Sequence, residues 1–240
     1  VTFEGDRLEP FFEDVPGQWG TVLLFSGANN TINHLTLKNA AIGLFVLTNI
    51  SGTAKLDINN SQIYNCSSYG ILARKANVTG TNLVINSAGL ACLACSMGGS
   101  YSFAHCTFNN NWQSSKQYAI TIDNYFTDGN TLQTTSFDLT QATFSNCIIY
   151  GSNQVEMILN KASTSNSFEY QFNNFLIRFN YSNLSATGLY NFDTDHAHYN
   201  SIYKNEDTNF QNINRNKLRI DNTSGAFAKG NAAYLILTDI

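Results

Sequence analysis

The stretch Leu56-Asp57-Ile58-Asn59-Asn60-Ser61-Gln62-Ile63-Tyr64-Asn65 reads apolar, x, apolar, x, Asn, x, x, apolar, x, Asn. The same frame recurs upstream at Ile32, His34, Leu37 and Asn39. Downstream it returns at Val78, Gly80, Asn82, Ile85 and Ser87, and at Tyr101, Phe103, His105, Phe108 and Asn110. Two further copies are Ala142, Phe144, Asn146, Ile149, Gly151 and Tyr170, Phe172, Asn174, Ile177, Phe179. Steps between the equivalent positions 34, 60, 82, 105, 146 and 174 are 26, 22, 23, 41 and 28 residues. A period in the low twenties, interrupted by longer insertions, is the mark of a solenoid.

Each unit alternates apolar and polar residues with period two, so it is a strand. A further strand follows most units: Gly70-Ile71-Leu72-Ala73, Leu93-Ala94-Cys95, Ala119-Ile120-Thr121-Ile122 and Met157-Ile158-Leu159. The absence of an amphipathic helix in any unit argues against a leucine-rich repeat. Three short strands in a coil of about 22 residues predict an all-β, right-handed parallel β-helix, forming one domain over residues 1–240. Equivalent side chains then stack from coil to coil at about 4.8 Å. Leu37, Ile63, Ile85, Phe108, Ile149 and Ile177 form an interior column in this reading. His34, Asn60, Asn82, His105, Asn146 and Asn174 form a bend column. The pattern accounts for the 33 asparagines: Asn tolerates the left-handed backbone of a tight bend, and its amide can bond to the coil above.

Composition narrows the function. Charged residues make up 12% of the 240, about half the usual share, and the net charge is −4. Nothing in that balance marks a nucleic-acid-binding chain, and no apolar run reaches the roughly 18 residues of a membrane-spanning helix. Five cysteines, Cys66, Cys92, Cys95, Cys106 and Cys147, are too sparse for a disulfide framework. The Cys92–Cys95 pair lacks a second ligand pair for zinc and a helix N-terminus for redox chemistry, so these thiols read as reduced, buried fillers. Cys106 and Cys147 fall in register and are expected to stack on adjacent coils. Both termini read as strand-like, Val1-Thr2-Phe3-Glu4 and Leu235–Ile240, which suggests a trimmed chain with an N-terminal coil missing. Glu4 to Trp19 and Leu184 to Asn216 are loop-like segments that could fold back on the solenoid.

The motifs Val1-Thr2-Phe3-Glu4-Gly5-Asp6-Arg7, Pro16-Gly17-Gln18-Trp19-Gly20, Asn39-Ala40-Ala41-Ile42-Gly43 and Gly98-Gly99-Ser100-Tyr101-Ser102-Phe103 resemble those of bacterial cell-envelope right-handed β-helix repeat proteins. That group has a pectate-lyase-like fold and mostly uncharacterised members, often lipoproteins. The resemblance covers roughly Val1 to Phe179, with a matching closing segment at Ser224-Gly225-Ala226-Phe227-Ala228-Lys229-Gly230. It implies an extracytoplasmic location, with a lipid anchor in the full-length precursor. The partner it implies is a polysaccharide or another envelope protein.

A search for chemistry on this scaffold finds little. The Asn-Thr-Asp, Asp-Asp and Gly-His-Gly motifs of polygalacturonase-like hydrolases are missing, and no paired acids appear in the repeat frame. Arg74, Ser96, Asp123 and Lys161 form a column after the third strand, which places Asp123 beside Lys161. That pair reads either as a base with its partner or as a surface ion pair. Trp112, Tyr118 and Tyr125 gather in an insertion; they could stack against sugar rings or simply seal the loop. Asp193, Asp195, His196 and His198 have the residue types of a divalent metal site. No cofactor is expected. The reading is a non-catalytic β-helix that binds a glycan or an envelope partner, with a polysaccharide lyase or glycoside hydrolase of unfamiliar machinery as the alternative.

Overall fold

The computed structural model describes residues 1–7, 9–49, 52–114, 116–164, 166–180, 188–234 and 236. Leu184, Leu235 and most of the C-terminal strand-like stretch lie outside the described residues. The chain winds into a right-handed parallel β-helix of about 7 turns with essentially no helix. A turn averages about 26 residues, longer than the 22 of the shortest repeat. The difference comes chiefly from the turn between His105 and Asn146, which carries segment 111–117 and a hairpin, Tyr125–Thr127 with Thr134–Ser136.

Three parallel ladders make the walls. The first joins Ile32, Ile58, Gly80, Phe103, Phe144, Phe172 and Tyr199 side by side. The second joins Phe3, Leu37, Ile63, Ile85, Phe108, Ile149 and Ile177, so the predicted interior column is a single row of hydrogen-bonded neighbours. The third joins Val22, Leu44, Ile71, Leu93, Ile120 and Met157. Strand Tyr69–Ala88 passes through all three walls without leaving extended structure, because its bends are single residues.

Those bends explain the asparagines of the bend column. His34, Asn60, Asn82, His105, Asn146 and Asn174 all have φ between 48° and 55°, and Ser201 continues the column at 55°. A non-glycine residue pays about 1–2 kcal/mol for this backbone, least for Asn and Asp. Their amides also tie the coils together: Asn60 Nδ2 donates to Asn33 Oδ1 at 3.0 Å and Asn82 Nδ2 to Asn60 Oδ1 at 2.8 Å. Asn146 Nδ2 meets His105 Nε2 at 3.0 Å, so the histidine ring takes the amide's place in the column. Asn60→Val forces a β-branched side chain into φ 48° and removes both amide bonds. It should cost about 2–3 kcal/mol in urea unfolding, against about 1 kcal/mol for Asn60→Gly, which keeps the backbone. Equal losses in the two variants would show that backbone geometry does not select this column.

The interior is apolar, and aromatic towards the C-terminal end. Phe103, Phe144, Phe172 and Tyr199 stack with centroids 5.2, 5.0 and 5.7 Å apart and planes within 20°. Gly80 makes room for the first ring, since a Cβ there would lie 2.6 Å from Phe103 Cδ1. All five cysteines are buried and free. Burial pushes the Cys66 thiol up to about 12 and the Cys92, Cys95 and Cys106 thiols well above their ordinary range. Cys106 and Cys147 lie close together on neighbouring coils, bonded chiefly to carbonyls of Ala104 and Ser145.

Candidate functional site

The column after the third strand is out of register by one residue. Asp123 pairs with Asn160, so Lys161 is not opposite it and no ion pair joins them among the described residues. A one-residue slip turns a side chain to the other face of a strand. Asp123 instead accepts from Ser96 Oγ at 3.1 Å and from Met97 N at 2.8 Å, holding the left-handed bend at Met97. Burial raises its pKa, with these bonds and the charge of Arg74 opposing. Arg74 does pair with Ser96, and its guanidinium lies 5.5 Å from the Phe45 ring.

The aromatic residues of the insertion do not form one platform. Trp112 packs over the turn at Gly89, where an added Cβ would lie 3.5 Å from its ring. Its carbonyl accepts from Gln117 Nε2 at 2.6 Å and Ser152 Oγ at 3.2 Å, which fastens the loop to the next coil. Tyr118 begins strand Tyr118–Asp123 and Tyr125 begins the hairpin beyond it, so a whole strand separates them. That is roughly 17 Å.

The acidic and histidine residues of the C-terminal loop also separate. Asp193 takes both its bonds from Lys204 Nζ at 2.8 Å, while Asp195 Oδ2 bonds to His198 Nδ1 at 2.7 Å. The His198 ring stacks on Tyr170 with centroids 4.2 Å apart, and His196 is exposed. Among the described residues no three His, Cys, Asp or Glu side chains converge as metal ligands.

One buried acid had no signature in the repeat. Glu156 is fully buried and accepts from Ala119 N at 2.9 Å on the neighbouring coil and from Asn153 N at 2.7 Å in its own turn. Gly151 permits this, since a Cβ there would sit 2.2 Å from Glu156 Oε1. Burial pushes the carboxyl up to about 8, against those two bonds.

A sizeable opening lies elsewhere, on the outer flank of the second wall. The polar C-terminal stretch folds back along this flank as a strap. Asn86 Nδ2 donates to Asn216 Oδ1 at 2.6 Å across 130 residues of chain. Further on, Asn231 N donates to Asn146 Oδ1 at 2.7 Å and Asn146 Nδ2 to Asn231 O at 3.0 Å. The bend column therefore fastens the strap as well as the coils. A short antiparallel bridge, Asn212 with Lys217, and the buried Leu218 give the strap its shape.

Between strap and wall is a cleft of about 790 Å³. Its floor is the outward row Gln62, Tyr64, Val84, Thr107, Ile148 and Leu176, with His105, Asn146 and Asn174 along one side. The floor crosses five consecutive coils, a length of about 19 Å at the strand spacing. Gln211, Arg215, Asn216, Lys217, Arg219 and Lys229 come from the strap. No family model matches the chain, no curated protein matches it, and no solved structure matches it. The cleft offers amides, hydroxyls and cations around a floor that includes Val84, Ile148 and Leu176, with room for a ligand of the size that protein clefts usually take.

Proposed function

We propose that this chain is a non-catalytic binding protein that holds a linear glycan in the cleft between its second wall and its C-terminal strap. The observation that carries the reading is the cleft itself, an elongated trough along the solenoid whose floor row includes Val84, Ile148 and Leu176 and whose edges carry amide and cationic side chains. Amide side chains from Gln62, Asn174, Gln211 and Asn216 line it, and amides of this kind donate to and accept from sugar hydroxyls. The acids support the same view: Asp123, Glu156, Asp138 and Asp221 each accept backbone N–H groups at turns or coil junctions. A location on a bacterial envelope, outside the cytoplasm, belongs to this proposal and rests on the resemblance of the glycine-rich turn motifs.

The test is a glycan-binding panel run alongside assays for new reducing ends and unsaturated products. Binding without product is expected, and Thr107→Trp, which fills the floor from an outward-facing position, should abolish it without lowering stability. Product release by the intact chain, or binding indifferent to Thr107→Trp, would overturn the reading.

A further inference from the structure

We propose that the glycan held by this cleft is anionic, a linear polysaccharide carrying sulfate or carboxylate groups along its length. The inference rests on the binding reading above and goes beyond it by assigning charge to the ligand. Four of the chain's 13 lysines and arginines, Arg215, Lys217, Arg219 and Lys229, line this one cleft, in a protein of net charge −4. No Asp or Glu stands among the cleft's lining residues. Among the described residues none of the four cations is in an ion pair.

The strap is built to keep them together. Leu218 is buried, and Lys217 and Arg219 on either side of it remain exposed. Asn216 adopts φ 55° in the tight turn that the Asn212–Lys217 bridge closes, with Arg215 inside it. Lys229 lies 4.5 Å from the Tyr203 ring, and its backbone carbonyl accepts from Asn174 Nδ2 at 3.4 Å. The nearby acids of the strap are held in turns of their own, Asp207 with Asn209 N and Asp221 with Thr223 N.

Like charges held close in a cleft repel one another, and an anionic ligand relieves that repulsion. Guanidinium groups also match the planar oxygen pairs of carboxylate and sulfate. A floor of about 19 Å accommodates several sugar units in a row, so charges repeated along a polymer can meet cations distributed along the strap. Single-stranded nucleic acid is disfavoured because it requires a series of stacking rings, and the rings along the lining are Tyr64 and His105, the latter bonded to Asn146.

The experiment compares dextran sulfate with neutral dextran by calorimetry on the full chain, at low and moderate salt. Dextran sulfate should bind and dextran should not, with affinity falling as salt rises. The double variant Lys217→Gln/Arg219→Gln should weaken binding by about tenfold or more. Lys116→Gln/Lys161→Gln, outside the cleft, should leave it unchanged. Dextran sulfate binding that ignores the first double variant would overturn the proposal, as would equal binding of an oligothymidylate. Binding of a neutral glycan that Thr107→Trp abolishes would end the anionic assignment alone and leave the glycan-binding reading standing. No binding of any glycan would remove both.

Discussion

Phe144→Ala is expected to destabilise the protein by about 3–5 kcal/mol. The ring is completely buried between Phe103 and Phe172, stacked at 5.2 and 5.0 Å, with Phe108 edge-on at 6.0 Å. A solenoid cannot close such a gap easily. The spacing between coils is fixed by backbone hydrogen bonds, so the neighbouring rings cannot move together to fill the space. The void should persist, and urea midpoints should fall accordingly. Phe126→Ala, at a side chain 48% exposed, is the control and should change stability by less than about 0.5 kcal/mol. Comparable losses at the two positions would contradict the stacked interior.

Stability should also decline as pH rises from about 4.5 to about 8, through Glu156. The carboxyl titrates near 4.5 in the unfolded chain and is held up to about 8 by burial in the folded one. Between those values the native state binds more protons than the unfolded state. Stability is then complete below the lower value and is lost as pH passes through the upper one, by about 1.4 kcal/mol per pH unit where the difference is full. Asp123, also raised by burial, contributes in the same direction. Thermal midpoints measured across this range should slope downward. Glu156→Gln should flatten the slope whatever its midpoint at low pH, since the amide cannot ionise. A slope unchanged in that variant would place the titrating group elsewhere.

The walls of the solenoid were legible in the sequence because period-two alternation and the left-handed bend leave marks at every coil. Asn60, Asn82, Asn146 and Asn174 stand where backbone geometry demands a residue of their kind, and Ile63, Ile85 and Ile149 where the interior demands bulk. The register of the third wall was harder to read. Its strands vary in composition, and Asn160 and Lys161 are both polar, so nothing local separates the correct alignment from its neighbour. The cleft was not legible at all. It depends on a contact such as Asn86 with Asn216, 130 residues apart, which no periodicity announces. The cluster Arg215, Lys217, Arg219 was visible as residues but had no place in the repeat. Only the fold of the strap sets it over the floor beside Lys229. Trp112, Tyr118 and Tyr125 show the converse case, since closeness in sequence left open whether they stack together or seal the loop, and an intervening strand separates Tyr118 from Tyr125.

Amide hydrogen exchange on the full chain, with and without dextran sulfate, tests the assignment of the cleft most directly. Ligand should slow exchange in the strap at 211–220 and 226–231, and in the floor strands at 62–64, 84–86, 107–109 and 148–150. Protection confined to the 111–127 insertion or to the 191–198 loop, with the strap unaffected, would contradict it.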